Sequence, residues 1–95
     1  MIRNVVLIKL KPGTPAGAVE GLRQALEKLN SPGRRSLSVG MDAGLREGNM
    51  DVAIVGDFDD EDAYRAYDAD PEHNRIRREL LAPIAERVER CQYRV

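Results

Sequence analysis

The single histidine of this chain, His73, is its best-placed group for proton transfer. An imidazole titrates close to neutrality, so it can serve as a general base or acid. Tyr67 lies shortly before it, and a phenol can hydrogen-bond an imidazole or orient a substrate oxygen. Asn4, set in an apolar N-terminal run, offers both a donor and an acceptor. His73 precedes Ile76 and Leu80 at helical spacing, which predicts an inward-facing position. Polar groups converging on an apolar space are the usual form of a small-ligand site. The same residues also have a structural explanation. His73 would fill the first turn of its helix and satisfy local backbone groups, with Tyr67 a core aromatic whose hydroxyl reaches the surface.

Other reactive side chains point to plainer roles. The acidic run Asp57 to Asp62 lacks the alternating ligands and central glycine of a calcium loop, so it reads as helix capping and a solvated turn. With one histidine and one cysteine, no transition-metal ligand set is visible, and no metal is expected. Gly13, Gly17 and Gly21 do not form a nucleotide fingerprint, and no cofactor is expected. Arg75, Arg77 and Arg78 are placed on a solvated helix face, with Glu72 and Glu79 as partners. Cys91 is expected to be packed inside, because no electropositive setting activates it.

The elements that must position these groups follow from the pattern. Ile2 to Lys11 is rich in β-branched residues and stops at Pro12-Gly13, as a strand does. Thr14-Pro15 predicts a cap and first helical residue, followed by the stripe Val19, Leu22, Leu26 and Leu29. Asn30-Ser31-Pro32-Gly33 ends that helix. Leu37, Val39 and Met41 alternate with small residues and predict a second strand. Ala43 to Asn49 is a loop, and Asp51 to Phe58 a third strand. Asp59 and Asp60 can cap a short helix through about Ala69. Asp70-Pro71 repeats the cap-plus-proline signal and starts another, with Ile76, Leu80 and Ile84 as its stripe and Pro83 bending or restarting it. Cys91, Tyr93 and Val95 predict a closing strand. The order β-α-β-β-α-β is the ferredoxin-like pattern: an α+β fold with a four-stranded antiparallel sheet and helices on one face.

Strand alternation decides what each sheet face meets. Ile2, Asn4, Val6, Ile8 and Leu10, with Val52, Ile54, Gly56 and Phe58, are placed under the helices. The opposite phases are apolar in mid-strand and charged at the ends. Val5, Leu7, Ala53 and Val55 would leave an apolar patch on a lone protomer, and such patches mark interfaces. The competing explanation is strand propensity alone. A 95-residue chain has a modest core of its own. Pairing of two sheets into a homodimer is therefore expected.

Composition narrows the class further. The length fits one domain, residues 1–95. Net charge is −1, from 15 basic and 16 acidic residues, so counterion-release affinity for nucleic acid is not expected. The RNA-binding module of the same strand order is excluded because its stacking aromatics are missing, with only Phe58 at a strand end. No apolar run is long enough for a secretory core or a membrane span, so the expectation is a cytoplasmic protein with no membrane partner. The lone cysteine excludes an internal disulfide.

Several segments together resemble the stress-responsive A/B barrel domain (Dabb) family. The opening Met1-Ile2-Arg3-Asn4-Val5-Val6-Leu7-Ile8-Lys9-Leu10-Lys11-Pro12-Gly13 is similar to the family's first strand. Asp57-Phe58-Asp59-Asp60, Tyr67 and Asp70-Pro71-Glu72-His73 resemble its second signature, and Cys91-Gln92-Tyr93 its closing strand. The resemblance implies a dimeric α+β barrel, two ferredoxin-like protomers packed sheet against sheet. It also implies a pocket between sheet and helices, as in a polyketide cyclase of the family. The cyclase's catalytic histidine falls on His73 and its tyrosine on Tyr67. Asn4 stands where the family's first strand commonly carries histidine, and Val52 replaces a third-strand histidine of the cyclase. The candidate site is thus catalytic His73 and Tyr67, with Asn4, Val6, Val52 and Ile54 against a small hydrophobic or aromatic ligand. Three functions follow: a cofactor-free acid–base enzyme or small-ligand binder, a non-catalytic stress-associated dimer with a filled pocket, and a cofactor-free oxygenase for which no residue argues.

Overall fold

Alternating apolar residues and a proline–glycine stop make Ile2–Leu10 a strand, β1. A computed structural model describes residues 1–95. It continues with α1 (Ala18–Lys28), β2 (Arg34–Met41), β3 (Val52–Phe58), α2 (Glu61–Ala69), α3 (Pro71–Ile76) and β4 (Ala85–Arg94). The sheet order is β2-β3-β1-β4, with every neighbouring pair antiparallel. This is the ferredoxin-like α+β architecture expected from the element order. The two central strands are the most apolar, because both their faces need covering.

Register makes the two faces explicit. Asn4 faces Gly56, Val6 faces Ile54 and Ile8 faces Val52 across β1 and β3. These residues point toward the helices, and Ile8 is completely buried with Val6, Val52 and Ile54 around it. Leu22 and Leu26 of α1 and Ile76 of α3 close over them. Burying four or five such side chains supplies roughly 10 kcal/mol of gross hydrophobic stabilisation, which offsets the entropy of ordering the elements that carry them. A second, smaller core joins Leu29, Phe58 and Tyr67. Gly33 seals its edge: φ is +85°, and an added Cβ would stand 2.6 Å from the Ala63 Cβ. Only glycine admits both the conformation and the close approach.

Helix boundaries correct several expectations. Thr14 does not cap α1. Its hydroxyl donates instead to the Lys11 carbonyl at 2.6 Å, closing a turn, and the helix starts at Ala18 with Gly17 as the capping residue. Asp60 does cap α2, accepting from the Ala63 amide at 2.9 Å. Asp70 caps α3 with Pro71 at the first helical position, accepting from the His73 amide at 3.0 Å. The chain then widens into a π-helical turn over Arg77–Leu81, with the Ala82 amide bonded to the Arg77 carbonyl at 2.8 Å. Pro83 offers no amide to continue, and the helix ends there. Ile84 is therefore not the last member of a helical stripe. It leads into β4, which begins at Ala85, well before the predicted closing segment.

The opposite sheet face has no helix. Val5 and Val55 face one another there, as do Leu7 and Ala53. Leu7 is 37% exposed. Cys91 lies opposite Val5 and is exposed, contrary to the expected internal packing, because its strand phase belongs to this uncovered face. Asp57 also leaves the predicted solvated turn: it is buried at the end of β3, held by Arg3 through two bonds of 2.7 and 2.9 Å. That guanidinium holds the Asp57 carboxyl below its ordinary range.

Candidate functional site

Three aromatic rings set the position of His73. Phe58, at the end of β3, packs on Tyr67 of α2 with ring centroids 4.9 Å apart. Tyr67 in turn stacks on the His73 imidazole at 3.9 Å and 28°. The Asp70 cap and Pro71 turn the chain sharply between them, so two short helices meet at this stack. His73 is only 4% exposed. Its Nδ1 lies 2.8 Å from the Tyr67 backbone oxygen. A carbonyl can only accept, so Nδ1 carries the proton and donates. Tyr67 thus holds the imidazole through its backbone oxygen and by stacking, with no bond from its hydroxyl to the ring.

The neutral imidazole then has Nε2 as its acceptor, and no protein group bonds it. Every sealed side-chain nitrogen or oxygen in the structure has a partner, so this nitrogen lies open to the adjoining space. Burial, reinforced by the nearby Arg77 charge, pushes the His73 pKa down to about 4. The ring is therefore neutral at physiological pH. Burial also raises the Tyr67 phenol above its ordinary value, which keeps its proton in place as a donor.

The pocket beside these groups lies between the β1/β3 sheet surface and the helices. Asn4, Val6, Ile54, Tyr67 and His73 all line it, so five of the six candidate residues come together. Val52 does not. It sits one pleat deeper, facing Ile8 in the main core. Asn4 Oδ1 accepts from Gln92 Nε2 at 2.8 Å, and its Nδ2 is left without a protein acceptor. The cavity volume is about 30 Å³, room for ordered water, for which roughly 10–15 Å³ is enough. No three His, Cys, Asp or Glu side chains converge as metal ligands.

Two arginines, Arg77 and Arg90, also line the pocket, and neither is among the candidate residues that the sequence pattern picks out. Arg77 had been placed on the solvated helix face with Arg75. Arg75 does pair with Glu72 and Glu79. Arg77 instead turns to the pocket, pairs with Asp68 and reaches Asn74 Oδ1 at 3.3 Å. Its spacing of four from His73 was the available signal, since that spacing shares a helix face. Arg90 faces Val6 across β1 and β4, on the helix side of the sheet. Strand alternation sets Arg90 in the phase opposite Cys91, so taking Cys91 as internal turns Arg90 outward, and the register reverses that choice.

A ferredoxin-like open sheet roofed by short helices, with a buried histidine on an apolar pocket, defines a small ferredoxin-like α+β domain. Residues 2–94 match the stress responsive A/B barrel domain (Dabb) family, and the chain belongs to that family. A dimeric ferredoxin-like protein of unknown function from Thermobifida fusca is similar at 32% identity, over 99% of this chain and 90% of that one, with a TM-score of 0.88. A hydroxynitrile lyase from Passiflora edulis shares the fold at 16% identity and TM-score 0.85, over 99% and 92% of the chains. A cofactor-independent oxygenase from Streptomyces nogalater shares it at 19% identity and TM-score 0.76, over 99% and 91%. No curated protein sequence matches the chain. No helix is long and apolar enough to cross a membrane.

Proposed function

We propose that this protein is a homodimer whose protomers each bind a small organic ligand beside His73 and carry out cofactor-free proton transfer on it, in the manner of a polyketide cyclase. The observation that carries this reading is the state of His73: neutral, held by its Nδ1–H, with Nε2 free toward the pocket. In the step envisaged, Nε2 removes a proton from a carbon next to a carbonyl. The C–H electron pair moves toward that carbonyl oxygen, which receives hydrogen bonds from Tyr67 and Asn4. The imidazolium then returns its proton as the new bond forms or the double bond shifts. Val6 and Ile54 supply apolar walls that keep water from competing.

Dimerisation is supported by the uncovered apolar strip on the far sheet face and by the dimeric relatives, including the one from Thermobifida fusca. Two such strips packed together would remove Leu7, Val5 and Val55 from water.

One observation favours the second reading, a non-catalytic dimer. The cavity volume is about 30 Å³, so any ligand of several heavy atoms must displace Arg77, Arg90 or Leu81, the more exposed of its liners. Long-range 1H–15N spectra of the lone histidine separate the two. For the ligand-binding reading, the ring should show the Nδ1–H tautomer at neutral pH, and small carbonyl compounds such as acetoacetate esters should shift Nε2. A ring that responds to no such compound would leave the structural dimer as the better account.

A further inference from the structure

We infer that the ligand of this pocket is an anion-headed small molecule, a carboxylate with an enolisable carbonyl, and that Arg90 is the residue that selects it. This rests on the pocket beside His73 being the functional site, and it adds the substrate class.

The argument is one of unpaired charge. Most of the arginines near the helices have acidic partners: Arg75 has Glu72 and Glu79, Arg77 has Asp68, and Arg94 has Glu61. Arg90 is solvent-exposed where it lines the pocket, and it has no ion pair and no hydrogen bond to any protein group. Asp68 is the acid within its field, and Arg77 already occupies it. The pocket wall therefore carries Arg77, neutralised, and Arg90, not neutralised, against an interior of Val6, Ile54 and Leu26. A planar guanidinium next to an apolar space is matched by a planar carboxylate, which accepts two parallel N–H bonds.

The remaining polar groups fit the same molecule. Asn4 Nδ2 and the Tyr67 phenol are donors, suited to a carbonyl oxygen that gains negative charge. His73 Nε2 is the acceptor for the proton lost. A ligand with a carboxylate at one end and an activated C–H beside a carbonyl satisfies all four, whereas a cation or a neutral hydrocarbon leaves Arg90 unmatched. The arginines are also the movable part of the wall, so drawing Arg90 onto a carboxylate enlarges the pocket for the ligand that it binds. The charged groups acting on His73 are Arg77, Asp68 and Asp70, with Tyr67 stacked against it. Of these the cation Arg77 dominates, and an arriving carboxylate opposes it. Burial is the larger cause of the ring's low basicity, so a bound carboxylate offsets only the Arg77 part of it.

Acetoacetate and methyl acetoacetate test this, since they differ chiefly in the charge. Each is titrated into the full-length chain while the His73 ring nitrogens and backbone amides are followed by NMR. Acetoacetate should bind about tenfold more tightly than its ester, a difference worth about 1.4 kcal/mol. Arg90→Gln should abolish the preference by weakening acetoacetate alone. Arg78→Gln removes an equal charge away from the pocket and should change both affinities less than twofold. Equal binding of the two probes at His73 overturns the anion proposal while leaving the pocket reading intact. Absence of any response at His73 to either probe overturns both. Should Arg90→Gln not fold, the preference of the wild-type chain between the two probes decides the question alone.

Discussion

The two faces of β1 are built from alternate residues of one nine-residue strand, and they reach opposite ends of the burial scale. Toward the helices, Ile8 is fully covered and Asn4 is 6% exposed. Away from them, Leu7 stays more than a third exposed and Cys91 lies open beside Val5. The helix side is finished by the chain itself. It can therefore hold a polar site, because surrounding apolar side chains keep His73 and Tyr67 dry. The other side has apolar residues in its middle and an Arg3–Asp57 ion pair at its end, an arrangement suited to a partner of the same shape. A lone protomer thus carries one face covered by its own helices and one apolar face left uncovered.

Substitutions on the two faces should report to different instruments. Val55→Asp places a charge in the middle of the uncovered strip, once from each protomer. It should weaken dimerisation by about 4 kcal/mol, roughly a thousandfold, as read by sedimentation equilibrium. An unchanged monomer–dimer equilibrium would break the comparison, since the strip would then not be the interface. Ile8→Ala, on the other side of the same sheet, should cost about 3 kcal/mol of protomer stability and leave the dissociation constant of the folded dimer nearly unaltered.

The site has its own signature in acid. His73 holds a pKa near 4 when folded and an ordinary value near 6.5 when unfolded. The unfolded chain therefore binds the extra proton first. Above pH 6.5 the group makes no difference, and as pH falls from 6.5 toward 4 stability should be lost, by about 3 kcal/mol across the window. The carboxylates that are held low by arginines, such as Asp57 and Asp68, lose their contribution at lower pH still. Denaturant melts between about pH 6.5 and 5.5 thus weigh the histidine most, before Glu20, Glu61 and Glu72, each lowered from an ordinary 4.5, begin to lose their contributions. His73→Gln should flatten that slope, and an equally steep slope in the variant would show that His73 is not the group responsible.

The smallest effect sharpens the comparison within the completed face. Asp70→Ala removes the cap on the His73 amide and should cost about 1 kcal/mol. Because that cap starts the helix carrying His73, the variant should also broaden the His73 ring resonances. Asp60→Ala removes the equivalent cap on α2 at a similar cost, but should leave those resonances sharp.

Local signals in the sequence carried much of this. The paired Asp-Pro at 70–71, the β-branched run after Met1 and the period-two alternation in the third strand fix short-range backbone choices, and each survives in the fold. They were enough to place His73 inward and to separate the two sheet faces. Signals that depend on a neighbour did not survive as well. Thr14 could cap only if the turn after Pro12 left its hydroxyl free, and that turn used it. Cys91 looked internal because burial of a strand residue depends on what covers its face, which no single strand reveals.

The succession of strands and helices along the chain and the inward position of His73 were determined by the sequence alone, because apolar periodicity and capping residues act over a few neighbours. The tertiary structure alone decided the chemical state of the site. Only folding brings the Tyr67 carbonyl to Nδ1, strips water from the imidazole and turns Arg77 and Arg90 onto the same pocket. Those are interactions between segments distant in the chain, and their strength depends on desolvation, which exists only once the helices have closed over the sheet.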